Sequence, residues 1–192
     1  NIVNNLSKID VLVVTVNSIT QRVPPRLFFK NRFITIEGGE GVGKSLFTKE
    51  LSRQLTQKKI DHLVTREPGG TPTAEKLRGI FTTPPDEDPL LPISEFLILS
   101  AARAQHMHHK ILPALAAGQW VICDRFFDST FVYQGMVGGL DQDSFIAPVT
   151  EKVLVGKSPA LTFLLDCPVD VSFERIIKRP QELVLLGMWS GA

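Results

Sequence analysis

Short apolar runs that end at polar or charged residues predict the strands of this chain. They cover residues 33–36, 62–65, 120–124 and 161–166. The last two runs are continuously apolar and close with an aspartate, which is the pattern of central parallel strands covered on both faces. The sequence therefore predicts a buried parallel sheet.

Helical periodicity fills the segments between these strands. Residues 45–59 place leucines near helical spacing without proline or glycine, and residues 72–81 and 93–115 predict two further helices. Strand and helix thus alternate along the chain, which is typical of a doubly wound α/β fold. Ligands of such folds bind beyond the carboxyl ends of the strands.

Three loops rich in glycine or charge follow strands at that edge of the predicted sheet. They read GGEGVGKS over residues 38–45, REPGGT over 66–71 and DRFFDS over 124–129. The first is a complete GxxxxGK[ST] phosphate-binding loop, in which Lys44 supplies a charge to the β and γ phosphates and Ser45 a hydroxyl to Mg²⁺. This loop predicts that the chain binds a nucleoside triphosphate.

The other two loops carry charges that suit phosphoryl transfer, which depends on positioning and charge neutralisation. Asp124 ends a strand, where its carboxylate can reach a metal directly or through water; the alternative is a helix cap or loop aspartate. Arg66, Arg103 and Arg125 lie on segments expected to face one crevice. A guanidinium grips phosphate through two hydrogen bonds, so this set predicts a site for an acceptor phosphate. Taken singly, each arginine would be read as a solvated surface charge.

Four further polar residues are candidates for the acceptor site. Glu40 lies inside the phosphate loop, where nucleotide phosphates would repel it unless its charge is compensated. We therefore expect it to meet a sugar hydroxyl of the acceptor or a metal-bound water. Ser129, Tyr133 and Gln134 suit one helical face and are placed to hydrogen-bond or stack on a base. The alternatives are an N-cap serine and a half-buried tyrosine.

Three histidines occur close together on the helix predicted over residues 93–115. Only His106 and His109 are three residues apart, and neither they nor His108 have an adjacent acid that would complete a metal site. We predict that the three side chains form a polar helix face.

Composition narrows the choice of partner and compartment. At 192 residues, with 43% apolar and 21% charged residues, the chain suits one α/β domain with a substantial core. The net charge of +1 gives no long-range attraction to nucleic acid or to an anionic membrane, so we expect neither partner. Cys123 and Cys167 each end an apolar run, which predicts buried, reduced thiols without a disulfide and a cytoplasmic location.

The two ends of the chain differ from the middle. Residues 1–31 lack a clear period and predict an irregular extension ahead of a domain over residues 32–179. Residues 180–192 read PQELVLLGMWSGA, which we interpret as an atypical C-terminal tail.

Taken together, these motifs resemble thymidylate kinase, the family that transfers the γ-phosphate of ATP to dTMP. The resemblance covers about residues 32–179, and TREPGGT combined with DRFxxSxxxYQ is far more specific than a phosphate loop alone. It implies a five-stranded parallel sheet, ATP as donor, Mg²⁺ as cofactor and a homodimer. The matching motifs are EGGEGVGKS at 37–45, TREPGGT at 65–71, AARAQH at 101–106, DRFFDSTFVYQG at 124–135 and LLDCPVDVSFERIIKR at 164–179.

The resemblance also implies roles for individual residues. Lys44, Asp124, Arg125 and Glu40 would be catalytic, with Asp124 and Ser45 at the metal. ATP would bind along Gly38, Gly39, Glu40, Gly41, Val42, Gly43, Lys44 and Ser45. The dTMP site would consist of Arg66 and Arg125 on the phosphate, Arg103 on the thymine edge, and Leu99, Ser129, Tyr133 and Gln134 around them.

The chain departs from the family pattern at two places. Leu99 stands where the family usually has a phenylalanine that stacks on thymine, so we expect weaker dTMP binding. Glu40 and Gly41 match the bacterial variety, in which a mobile lid supplies the catalytic arginine. The apolar tail at 180–192 predicts a truncated C-terminus without that lid and the last helix. Two alternatives therefore stay open: a weak or inactive nucleotide-binding remnant, and a P-loop kinase for another nucleoside or nucleotide.

Overall fold

A parallel β-sheet forms the centre of the computed structural model, which describes residues 10–15 and 31–178. The strand order is β1-β5-β2-β4-β3, and every neighbouring pair is parallel. The strands are β1 (Asp10–Thr15), β2 (Phe33–Glu37), β3 (His62–Arg66), β4 (Trp120–Asp124) and β5 (Leu161–Asp166).

The predicted parallel sheet is confirmed, and two expectations about it need correction. The domain from residue 32 onward supplies four strands, β2 to β5, where five were expected. The remaining strand, β1, lies in the segment 1–31 that was expected to be irregular. Its sequence DVLVVT is rich in β-branched residues, and its backbone pairs with β5 in parallel from Asp10 to Thr15. The predicted tail at residues 180–192 lies outside the described residues and stays a prediction.

Helices follow the strands in alternation, as the periodicity predicted. The predicted helix 93–115 consists of α3, a π-helical turn at Met107–Ile111, and α4. Pro113 at the start of α4 lacks the N–H that a regular ladder needs there. The helices are α1 (Lys44–Gln57), α2 (Pro72–Thr82), α3 (Pro92–His106), α4 (Leu112–Ala116), α5 (Phe127–Thr130), α6 (Ala147–Leu154) and α7 (Val169–Ile177), with further π-helical turns at Phe131–Val137 and Gln142–Ile146.

Apolar side chains cover both faces of the sheet, which explains why the strand sequences are continuously apolar. Phe33 and Val121 belong to a cluster on one face, whereas the adjacent Ile34 and Ile122 belong to a second cluster with Phe163. Each fully buried side chain of this size contributes about 1.5–3 kcal/mol. The two layers therefore hold β2 and β4, whose carboxyl ends carry the phosphate loop and the DRFFDS loop.

The two cysteines are buried, as the sequence predicted. Cys123 and Cys167 are both free thiols in the structure. Leu46, at the start of α1, is 73% exposed. None of the helices in the described ranges has the length and apolar character needed to cross a bilayer.

Candidate active site

A large cleft opens at the carboxyl ends of β2, β3 and β4. Its volume is about 1170 Å³, which exceeds the roughly 300–1,000 Å³ typical of a site for one small ligand. Apart from Gly38 and Gly39, all residues predicted for the site line this cleft. They are Glu40, Gly41, Val42, Gly43, Lys44, Ser45, Arg66, Leu99, Arg103, Asp124, Arg125, Ser129, Tyr133 and Gln134.

The phosphate loop forms one wall of the cleft. Gly38, Gly41 and Gly43 all have positive φ angles, of 138°, 72° and 103°, which side chains rarely adopt. The Lys44 ammonium folds back over the loop and donates to the Gly38 and Gly39 carbonyl oxygens at 3.0 and 2.6 Å. Burial, and after it the charge of Arg125, lowers the pKa of Lys44. The charges of Glu40, Asp124 and Glu37 oppose this shift, and a bound phosphate would add a further negative charge beside the lysine.

Arg125 faces the loop from the end of β4. Its guanidinium forms an ion pair with Glu40 and donates to Ser129 Oγ at 3.0 Å. It also lies 5.7 Å from the centre of the Tyr133 ring, within the range of a cation–π contact. The charge of Glu40, which was hard to reconcile with a phosphate loop, is therefore compensated by Arg125.

Asp124 and Ser45 carry side-chain oxygen atoms, which are the ligands that Mg²⁺ prefers. Both line the cleft, and Asp124 Oδ1 is buried without a hydrogen-bond partner within the described ranges. Burial raises the pKa of Asp124, while Lys44 and Arg125 oppose that rise. Mg²⁺ prefers one or two protein oxygens together with water and phosphate oxygens. No cluster of three histidine, cysteine or acidic side chains suited to a metal occurs among the described residues. A magnesium site with few protein oxygens does not need one, because water and phosphate oxygens supply the other ligands.

Two further arginines outside the phosphate loop line the cleft. Arg66 is exposed and pairs with Glu75 at 3.0 Å. Arg78, which the sequence did not single out, also lines the cleft and donates to the Pro68 carbonyl oxygen at 3.0 Å. Burial and the nearby charge of Arg66 lower the pKa of Arg78. Two guanidinium groups, one at the end of β3 and one on α2, therefore line the cleft in addition to those of Arg103 and Arg125.

The floor of the cleft is more apolar and more buried. Arg103 is only 4% exposed, and its guanidinium lies 5.3 Å from the centre of the Phe126 ring. Leu99, one turn earlier on α3, is buried beside it. Gln134 is buried as well and donates to Glu95 Oε2 at 3.0 Å. A flat apolar group with polar edges suits such a floor.

Comparison with known proteins agrees with this geometry. The family model described as thymidylate kinase matches residues 36–184. The chain belongs to the thymidylate kinase family.

Individual thymidylate kinases are similar over most of their length. The protein named thymidylate kinase from Chromohalobacter salexigens is 49% identical over 148 residues, which are 77% of this chain and 69% of that protein. The one from Marinomonas sp. is 42% identical over 153 residues, or 80% of this chain and 71% of that protein. The crystal structure of thymidylate kinase from Ehrlichia chaffeensis has a TM-score of 0.63 and 32% identity, covering 82% of this chain and 95% of that one.

Sequence reasoning missed one buried carboxylate that supports this thymidylate kinase site. Glu37, the last residue of β2, is 4% exposed and accepts from the Phe126 N–H and from Ser129 Oγ, both at 2.7 Å. It thus connects the start of the phosphate loop to the DRFFDS loop. Burial raises the pKa of Glu37, while Ser129 and the Phe126 N–H oppose that rise. The available signal was an acid that ends a strand directly before the loop, the pattern that singled out Asp124.

Proposed function

We propose that this protein phosphorylates dTMP to dTDP with ATP, as a step in dTTP biosynthesis. The observation that carries the proposal is a single cleft lined both by a phosphate loop and by several arginines from other elements. A cleft with phosphate-binding groups of both kinds suits a donor and an acceptor that meet within it.

On the donor side, ATP would bind along the phosphate loop from Gly38 to Ser45. Lys44, which donates to two loop carbonyl oxygens, would turn from them to contact the β and γ phosphates. Mg²⁺, held by Ser45 and Asp124, would neutralise charge on the transferring phosphate. The buried Asp124 oxygen without a described partner supports this assignment.

On the acceptor side, Arg66 and Arg125 would hold the dTMP phosphate. Ser129 and Glu40 fix Arg125 before the acceptor arrives, which lowers the entropy lost when the acceptor is positioned. Arg103 would meet the thymine edge, with Tyr133 and Gln134 around the base. Leu99 gives an aliphatic contact in place of a ring face, so weaker dTMP binding stays a prediction.

The proposal includes a homodimer and a cytoplasmic location. Ile93 and Leu97 lie one turn apart on α3 and are 43% and 50% exposed, which suits a face that another copy covers. Both cysteines are free and buried, as is usual in a reducing compartment.

An ADP-release assay with ATP, Mg²⁺ and dTMP tests the proposal, with thymidine, dUMP and dCMP as alternative acceptors. We expect dTMP to give the highest kcat/KM. Lys44→Ala and Arg125→Ala should each reduce kcat/KM by a factor of about 10² or more, because each removes a charge aimed at a phosphate. Arg53→Ala is the matched control, because Arg53 is an exposed residue of α1 that pairs with Glu50.

Two results would overturn the proposal. If both site variants turn over dTMP at the rate of the unmodified protein, the cleft is not where phosphate is transferred. If another acceptor is clearly preferred to dTMP, the protein is a P-loop kinase with a different substrate.

A further inference from the structure

A chain of hydrogen bonds runs beneath the acceptor end of the cleft. Arg103 Nε donates to Glu67 Oε2 at 2.6 Å, and Arg103 Nη2 donates to Thr130 Oγ1 at 3.0 Å. His106 Nδ1 lies 3.0 Å from Glu67 Oε1, and His106 Nε2 lies 2.7 Å from Thr65 Oγ1. Five side chains from β3, α3, α5 and the REPGGT loop are thus connected, and we call them the buried polar chain.

All members of the buried polar chain are removed from solvent. Arg103, Glu67, His106, Thr65 and Thr130 are 4%, 5%, 0%, 7% and 2% exposed. Burying an ion pair adds little to stability, and apolar side chains of the same shape often serve as well. What such a pair does provide is a fixed orientation for each charged group. Stability alone therefore does not explain the buried polar chain.

The position of His106 corrects the sequence-based prediction of a polar helix face. His108 and His109 are exposed, but His106 points inward and both its ring nitrogens are used. An ionised carboxylate only accepts, so Nδ1 carries a proton toward Glu67. A Cβ at Gly70 would lie within 2.5 Å of the His106 ring, so the REPGGT loop closes directly over it.

Arg103 is the member of the buried polar chain whose positive charge lies at the cleft. Arg103, Glu67 and Thr130 line the cleft, whereas His106 does not. Two guanidinium nitrogens of Arg103 are used by Glu67 and Thr130, and Nη1 has no hydrogen-bond partner within residues 31–178. One N–H edge of a rigidly held guanidinium is therefore left for a ligand.

We infer that Glu67 and His106 are positioning residues, which hold the Arg103 guanidinium so that its remaining N–H edge reads the base of the acceptor. Glu67 holds Arg103 directly, and His106 holds Glu67 from the side away from the cleft. This inference rests on the proposed function, since it assigns the acceptor's base to the floor of the cleft. Guanidinium N–H groups only donate, so the expected contact of Arg103 with the base suits the thymine O4 acceptor and opposes the cytosine amino group. What is added is that this discrimination depends on Glu67 and His106.

Three variants test this inference by steady-state kinetics on dTMP, dCMP and ATP. Glu67→Gln and His106→Phe each remove a charge-assisted hydrogen bond, so we expect the KM for dTMP to rise roughly tenfold or more. The preference for dTMP over dCMP should fall by a similar factor, while the KM for ATP stays within about twofold. His106→Asn retains an N–H near the Nδ1 position and should return the KM for dTMP to within about threefold of the unmodified protein.

A purely structural role would give a different result. It would lower the midpoint of thermal unfolding in Glu67→Gln and His106→Phe, with both KM values and the base preference unchanged in the folded fraction, and this would overturn the inference. If His106→Phe does not fold, Glu67→Gln and His106→Asn still decide, because equal losses in those two would also contradict it. The exposed His109→Phe is the control and should change none of these quantities.

Failure of the proposed function is distinguishable from failure of this inference. If the unmodified protein releases no ADP with dTMP, the proposed function is wrong. If it phosphorylates dTMP but Arg103→Ala keeps the preference for dTMP over dCMP, Arg103 does not read the base. In that second case the assignment of Arg103 to the thymine edge falls, and with it the positioning role of Glu67 and His106, while phosphorylation of dTMP stands.

Discussion

Arg125 is fixed through its backbone as well as through its side chain. Its backbone has a φ of 64°, a conformation that non-glycine residues seldom adopt and that costs on the order of 1 kcal/mol. Its N–H donates to the Ile36 carbonyl oxygen at 2.9 Å, which anchors the turn to β2. Glu40 and Ser129 then fix the side chain. The guanidinium therefore has its final direction before a substrate binds.

Asp128 is expected to make stability depend on pH. Its Oδ2 is buried without a partner within the described ranges; burial, and next the charge of Glu37, raise its pKa from 3.8 to about 7, against the opposing charge of Arg103. Between these two pKa values the folded protein binds a proton that the unfolded chain does not. The free energy of unfolding therefore falls as the pH rises through that window. One pKa unit corresponds to about 1.4 kcal/mol, which limits the loss to roughly 4 kcal/mol.

Asp128→Asn should remove this loss, since the amide is neutral at every pH. Urea unfolding at pH 5 and pH 8 measures the free energy of unfolding of both proteins. The variant should be more stable than the unmodified protein at both pH values, and the difference should be larger at pH 8. The exposed Asp86→Asn serves as control and should show no such difference. An equal effect of Asp128→Asn at both pH values would contradict the assignment.

For single residues, the motifs predicted which side chains line the cleft but not the partners that hold those side chains in place. The type and spacing of Lys44 and Arg125 were sufficient to place them there. Glu37 and Phe126 are 89 residues apart, and His106 and Glu67 are 39 apart, so no local pattern relates them. Their partners become visible only once the sheet brings the strand ends together.

Strands and helices could be predicted from the sequence where one hydrophobic period continues without interruption. Strands β4 and β5 have the bounds that their apolar runs predicted, because a buried parallel strand needs apolar side chains on both faces. The π-helical turns were not predicted, because a five-residue hydrogen-bond step leaves no distinct hydrophobic period over a single turn. One of them, Phe131–Val137, carries Tyr133 and Gln134 into the site.

The contact between the phosphate loop and α7 gives a prediction at the scale of elements. Gly41 and Gly43 both have positive φ, so alanine at either position costs about 1–2 kcal/mol in backbone strain. A Cβ at Gly41 would also collide with the Ser172 carbonyl oxygen of α7, whereas a Cβ at Gly43 meets nothing within 4 Å. We expect Gly41→Ala to lose about 1–3 kcal/mol more than Gly43→Ala, because loop and helix must separate.

Urea unfolding of the two glycine variants, monitored by circular dichroism, measures this difference. Each variant is the control for the other, since both carry the same substitution in the same loop. Equal losses in the two variants would show that α7 yields without cost, and the close approach would then not hold the loop in place.

At the scale of the whole molecule, the edge of the sheet was the hardest part to predict. Strand β1 pairs with β5, so Asp10 lies beside Leu161 although some 150 residues separate them in sequence. Local pattern in residues 1–31 is weak, and pairing at so long a separation depends on β5 being formed and otherwise open at that edge. The other four strands, β2 to β5, need no such partner to be recognised.

The proposed homodimer gives the prediction that involves the whole molecule. Leu97 is 50% exposed on the same face of α3 as Ile93, and a glutamate there would place a charge in an interface that needs apolar contact. We expect Leu97→Glu to shift the protein from dimer to monomer in analytical ultracentrifugation, with unchanged far-UV circular dichroism. Val169→Glu is the matched control, because Val169 is 69% exposed at the first turn of α7, where an acid is favourable. If Leu97→Glu sediments as a dimer, this face of α3 is not the interface. If the unmodified protein is itself a monomer, the homodimer proposal fails.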